Sequence, residues 1–274
     1  MQDIHWYPGH MAKAKRQLSE LVRYLDLIVE VRDARIPITS HNTDLEPILG
    51  KKSVVVVLNK IDLADPEVTP KWSDWFWEHK IPMITVNGKN GNGVEKIWQI
   101  AAEQLSGKSL TRAKRIAVVG IPNVGKSSIL NRLLGTGAAR TGNIPGVTRG
   151  KQWIKHQDFE ILDTPGLLPP KITNQTEGYK LALVGTIKDQ IVDGYDLALY
   201  LMENYGVKIF ENDESYPKQL TVDEQLAWFA EKRKFLVKGG GPDLNRAIGT
   251  LLHEFRNARL NRVSLESPPI ESAN

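Results

Sequence analysis

The run Gly120-Ile121-Pro122-Asn123-Val124-Gly125-Lys126-Ser127 spaces two glycines, a lysine and a hydroxyl in a way that suits one task, the handling of phosphate groups. A glycine-rich turn that opens a helix aims several backbone N–H groups at anionic oxygens, and the helix dipole favours negative charge there. Lys126 would neutralise the β- and γ-phosphates of a nucleoside triphosphate and the Ser127 hydroxyl would hold Mg²⁺. Asn123, Val124, Gly125 and Ser128 complete the expected cradle. An ordinary glycine-rich turn is the competing reading. It is disfavoured by the apolar stretch Ile116 to Val119 in front and the helical pattern Lys126 to Leu134 behind.

Three other segments fit a nucleotide. In Phe159-Glu160-Ile161-Leu162-Asp163-Thr164-Pro165-Gly166 an apolar strand ends in an acidic residue, so Asp163 is expected in the Mg²⁺ shell and the Gly166 N–H at the γ-phosphate. The Gly/Pro-rich stretch 142–149 can move, and it carries Thr148, whose hydroxyl is expected on Mg²⁺ in the triphosphate state. Asn59-Lys60-Ile61-Asp62 follows the apolar stretch Val54 to Leu58. A carboxylate at Asp62 can accept from both the ring N–H and the exocyclic amine of guanine, which selects GTP over ATP. Ile84-Thr85-Val86-Asn87-Gly88-Lys89, another strand leading into a loop, stands at the right distance to close over the base.

These segments must be positioned by strands and helices. Strand patterns occupy Leu27 to Val31, Ser53 to Leu58, Met83 to Val86, Arg115 to Val119, Gln152 to Lys155 and Phe159 to Leu162. Helical patterns fill Met11 to Tyr24, Thr69 to His79, Gly93 to Leu105 and Lys126 to Leu134. The alternation predicts an α/β fold with a mainly parallel sheet. In an ordinary GTPase the phosphate loop precedes the base-selecting motifs. Here the order is reversed, so the domain reads as circularly permuted, joined through the basic linker 106–114. Doubly wound sheets assemble their sites at strand carboxyl ends, so a permutation that keeps the spatial strand order keeps the site. Beyond about Pro170 the pattern turns helical, with a capping-box start at Thr221 and Glu224 and a proline start at Pro242. The expected division is a GTPase domain over 1–170, including an N-terminal helical segment, and a small helical RNA-binding domain over 171–274.

The permuted order, Tyr7-Pro8-Gly9-His10-Met11-Ala12-Lys13-Ala14 and Val31-Arg32-Asp33-Ala34-Arg35-Ile36-Pro37 together resemble the bacterial YlqF/RbgA family of ribosome-biogenesis GTPases, over nearly the whole chain. The resemblance implies a K⁺-stimulated GTPase acting late in large-subunit maturation, with a C-terminal helical domain on ribosomal RNA. It also implies Asn123 as a K⁺ ligand, although a turn-forming role accounts for an asparagine there equally simply. At the base loop, Gly88 replaces the family's Ser-Ala-Lys type and would still supply a backbone N–H. Ras-like enzymes carry a water-orienting glutamine where Leu167 stands. Leu167 cannot orient water, so His10 becomes the candidate group for the attacking water or the transferring phosphoryl, against a reading as a packing histidine.

Charge and composition bound the remaining choices. The formal net charge is only +4, but 107–157 hold ten basic residues and no acidic one, and 231–262 hold eight basic against three acidic. On a helical wheel Arg246, His253 and Arg256 fall opposite Leu244, Ile248, Leu251 and Phe255, a cationic face suited to RNA phosphates or simply to solvent. Trp72, Trp75, Trp77 and Phe76 read as core and rim packing, and Arg32, Asp33 and Arg35 as a loop-fixing ion network. The absence of cysteine excludes thiol and disulfide chemistry and suits a reducing compartment such as the cytoplasm. No apolar run approaches the ~18 residues of a membrane span, and the first residues lack the order of a signal peptide. The expected partners are a large-subunit precursor and its RNA, with no membrane and a monomeric state. Two rivals share the motifs: a GTPase of tRNA modification, and a nucleotide-sensing RNA-binding protein with negligible turnover. A P-loop kinase fits less well, having no evident lid or acceptor site.

Overall fold

The computed structural model describes residues 19–43, 46–107, 112–135, 139–141, 153–162, 172, 174–187 and 191–270. Its strands are β1 (Leu27–Asp33), β2 (Ser53–Asn59), β3 (Met83–Thr85), β4 (Lys114–Val119), β5 (Ala139–Thr141), β6 (Trp153–His156) and β7 (Phe159–Leu162). They form one seven-stranded sheet in the order β3-β2-β1-β4-β7-β6-β5. From β3 to β7 the neighbours run parallel, whereas β6 and β5 are added antiparallel. The mainly parallel sheet expected from the sequence is therefore present, with β5 as an addition.

All of β1 is buried, as a central strand covered on both faces must be, and its side chains alternate between two cores. Leu27, Val29 and Val31 join Val55, Val57, Ile116 and Val118 on one face, while Ile28 joins Ala117, Val119 and Trp153 on the other. Helices α1 (Glu46–Leu49), α2 (Val68–Glu78), α3 (Lys96–Gln104) and α4 (Lys126–Leu134) connect the strands. In α2, Trp72 and Phe76 are buried against Val56 and Leu58, but Trp77 is 81% exposed, so packing does not account for it.

The helical part contains α5 (Gln175–Leu183), α6 (Gly194–Ile209), α7 (Val222–Lys232) and α8 (Leu244–Arg256). Asn174, Asp193 and Thr221 cap α5, α6 and α7 through side-chain oxygens, and Thr221 with Glu224 forms the expected capping box. The proline start at Pro242 is corrected. Helix α8 begins at Leu244 because the Asp243 carboxylate accepts from the Arg246 N–H, while Pro242 bridges Leu236. The apolar stripe of α8, including Leu251 and Phe255, belongs to the same hydrophobic cluster as one face of the sheet. The chain then returns to the sheet: the Leu265 N–H donates to the Arg35 carbonyl, and the Glu266 carboxylate accepts from the Ile38 N–H.

Candidate nucleotide site

Strands β4 and β2 flank β1, so the phosphate loop after β4 and the Asn59–Asp62 loop after β2 emerge on either side of the β1 end, at the carboxyl edge of the sheet. Gly125, the cap of α4, has φ +97°, and a Cβ there would overlap the Asn59 amide. Gly120, with φ +147°, lies so close to the Val31 carbonyl that a Cβ would overlap it as well. Both positions need glycine for conformation and for space.

Asn59 joins three loops. Buried to 2% exposure, it donates from Nδ2 to the Val124 carbonyl at 2.7 Å and accepts the Gly88 N–H on Oδ1 at 2.8 Å. The Gly88 N–H, expected at the base, is directed at the Asn59 side chain in this structure. Asn87 is also buried and accepts the N–H groups of Lys89 and Asn90, which makes it the shaper of its own loop. Asp62 is half-buried, and its carboxylate has no bond to any described residue.

The Lys126 ammonium is buried and donates to the Ile121 carbonyl at 2.7 Å. Burial, helped by the nearby Lys60 charge, lowers its pKa to about 8. Lys60 leaves β2 with φ +64° and places its ammonium 3.0 Å from the Asp33 carboxylate. Arg35 grips the same carboxylate with Nε and Nη2, each at 2.9 Å. Burial alone would raise the Asp33 pKa, but the Arg35 and Lys60 charges reverse this and hold it well below the usual carboxylate range. The Asp33–Lys60 contact escaped the sequence reading; its only signal was the charged run 32–35 at a strand end.

Three side chains turn out to serve the end of α5 and the turn after it. Asn123, at φ +61°, donates from Nδ2 to the Gly185 carbonyl at 2.9 Å. Arg256, expected on the outer cationic face of α8, turns inward instead: its Nη2 donates to the Ala182 carbonyl and its Nε to the Leu183 carbonyl. Arg35 adds a bond to the Val184 carbonyl. The last carbonyls of a helix lack partners within it, and here three side chains supply them. Other cations of the 231–262 run are also engaged, Arg233 with Glu254 and Lys232 with Asp213, while Arg246 stacks over Phe235.

His10, Thr148, Asp163, Gly166 and Leu167 lie outside the described residues. Ser127 and Ser128 open α4 with exposed hydroxyls that have no bond to any described residue. A hard hydroxyl oxygen beside the phosphate-facing turn fits Mg²⁺. When bound, the ion would supply charge neutralisation across the β- and γ-phosphates.

Residues 115–237 match the family described as 50S ribosome-binding GTPase, and residues 49–173 match the RsgA GTPase family. Over 97% of its length the chain is 38% identical to Ribosome biogenesis GTPase A of Priestia megaterium, of which 97% is covered. The chain belongs to the ribosome biogenesis GTPase A family. The family's protein from Thermotoga maritima is 34% identical over 97% of this chain and 95% of its own. The solved GNP-bound YlqF from T. maritima superposes with a TM-score of 0.68 at 32% identity, covering 93% of this chain and 98% of that one. A GDP-bound YlqF structure gives 0.70 at 31% identity, over 92% of this chain and 99% of that one. As a ribosome biogenesis GTPase A family member, the chain is a GTPase with the permuted P-loop fold, and its substrate is GTP.

Proposed function

We propose that this GTPase acts in late maturation of the large ribosomal subunit, and that the particle stimulates its hydrolysis. The observation that carries this reading is the turn ending α5, whose carbonyls are held by Asn123 of the phosphate loop and Arg35 of the β1 loop. A change in the nucleotide loops is thereby passed to the helices, which makes 171–274 a reader of the nucleotide held by 1–170. Lys234, Lys238, Arg259 and Arg262 are exposed and have no acidic partner among the described residues, which leaves their charges available to ribosomal RNA phosphates. At the nucleotide, Asn59, Lys60, Asp62, Asn87 and Gly88 form or shape the guanine end. Asn123, Val124, Gly125, Lys126, Ser127, Ser128 and Gly166 form the phosphate end, with Ser127, Thr148 and Asp163 around Mg²⁺. Asn123 keeps Oδ1 for K⁺ while its Nδ2 serves Gly185. The protein works as a monomer in the cytoplasm.

The test is sedimentation of lysate on a sucrose gradient with a non-hydrolysable GTP analogue, followed by single-turnover hydrolysis on the particle that carries the protein. Co-migration with a large-subunit particle and faster hydrolysis on it are expected. If His10 positions the attacking water, His10→Ala leaves GTP affinity intact and lowers stimulated turnover by roughly 10²- to 10³-fold. Absence from large-subunit particles in either nucleotide state would overturn the proposal.

A further inference from the structure

The guanine end of the site contains a residue that belongs to neither nucleotide loop. Asp33 closes β1, is fully buried, and faces Asn59 across the parallel ladder. The backbone fastens the two strand ends together, because the Ala34 N–H donates to the Asn59 carbonyl at 2.8 Å. The next residue, Lys60, takes a left-handed conformation that a residue with a side chain seldom adopts without something to hold it. Its ammonium ends 3.0 Å from Asp33, and no other acidic group among the described residues pairs with it. Lys60 also stands close enough to Lys126 to repel its charge. Two lysines thus crowd the nucleotide edge, and one buried carboxylate decides where the first of them points.

From this geometry we infer that Asp33 is a positioning residue for guanine-nucleotide binding, acting through Lys60. The inference rests on the reading of Asn59–Asp62 as the base loop. Asp33 itself is shielded from the nucleotide: the Arg35 backbone N–H and guanidinium and the Lys60 ammonium take up its two oxygens. Without that counter-charge Lys60 would be driven away from Lys126, and the loop carrying Asp62 would lose the strand-end anchor that sets its first turn. Arg35 uses the same carboxylate for a different purpose, since its guanidinium also reaches the Val184 and Arg256 carbonyls at the ends of α5 and α8. One carboxylate therefore carries a nucleotide-side bond and a helix-side bond that can be cut separately.

The experiment is a double-mutant cycle on the full chain, read as dissociation constants for a fluescence-labelled GDP and a labelled non-hydrolysable GTP analogue. Asp33→Asn and Lys60→Met are each expected to weaken binding on the order of tenfold, the effect of removing one charge-assisted contact. The double variant should bind no more weakly than Lys60→Met alone, because the second change removes a contact already lost. Arg35→Met, which cuts the helix-side bonds and leaves Lys60 on Asp33, should lower the melting temperature and keep both dissociation constants within about twofold. If Asp33→Asn does not fold with Arg35 left unpaired, the cycle is run in the Arg35→Met background, where no guanidinium depends on the Asp33 carboxylate. The inference is overturned if the two losses add, if folded Asp33→Asn binds like the wild type, or if Arg35→Met weakens binding as much as Asp33→Asn. Asp62→Asn serves as the control. A failure to change base preference there refutes the base-loop reading itself, whereas a changed preference with additive losses refutes only the role of Asp33.

Discussion

Asn59→Asp separates the two bonds of the residue at the centre of the site. The side chain keeps its size, and the retained oxygen still accepts the Gly88 N–H at 2.8 Å. Where Nδ2 donated to the Val124 carbonyl at 2.7 Å, a carboxylate oxygen now faces a carbonyl oxygen. The lost bond costs about 1 kcal/mol net, and burying an acceptor against an acceptor adds about 1–3 kcal/mol. If nucleotide binds only when the two loops are joined, a loss of about 2–4 kcal/mol weakens GDP and GTP alike by roughly 30- to 10³-fold. Titration with labelled nucleotides measures the loss, and thermal unfolding without nucleotide measures any part of it that falls on the fold. At lower pH the new carboxyl gains a proton and can again donate to Val124, so the defect should shrink between pH 8 and pH 5.5. Affinity within twofold of the wild type, together with an unchanged melting temperature, would refute the idea that Asn59 couples the base and phosphate loops.

Two predictions concern titration. Lys126 has a pKa lowered from 10.5 to about 8, and phosphate contact would raise it again, so GTP binding at pH 9 should take up protons and affinity should fall as pH rises past 8. Calorimetry in two buffers of different ionisation enthalpy reads this directly, and equal heats in both would contradict it. Glu30 is also shifted: burial would raise its pKa, but Arg32 and His41 bring it from 4.5 down to about 2. A carboxylate with a lowered folded pKa stabilises the fold above its ordinary value and loses that contribution as pH falls toward the folded one. On the order of 3 kcal/mol should therefore disappear between about pH 4.5 and pH 2. Melting curves of wild type and Glu30→Gln across this range should converge in acid; parallel curves would show that Glu30 contributes nothing.

Some of this architecture was legible in the chain because local and global signals agreed. Helix α4 spans Lys126–Leu134 as the pattern predicted, since Gly125 supplies the left-handed cap and the apolar spacing continues to Leu134. Strand β7 matched at both ends. Strand β5 did not show itself, because Ala139–Thr141 is too short for a periodicity and exists by pairing with β6. Arg256 misled the helical wheel, which places Cβ atoms but not the ends of long side chains; the carbonyls that attract its guanidinium belong to α5, some seventy residues earlier. The bond between Asn59 and the Gly88 N–H is hidden for a similar reason, as nothing in the sequence says that these two loops meet. Motif types and their order were thus readable, and contacts between distant segments were not.

If loops from the reversed order close into one guanine-selective site, Asp62→Asn must change which base the protein prefers. The measurement is the pair of dissociation constants for GTP and xanthosine triphosphate, wild type beside variant. An amide at this position can donate to the extra carbonyl of xanthine and can no longer accept both guanine donors, so GTP affinity should fall by about 10²-fold while affinity for xanthosine triphosphate rises above it. Unchanged GTP affinity, with no gain for the xanthosine nucleotide, would show that Asp62 does not read the base and that these loops do not form one guanine-selective site.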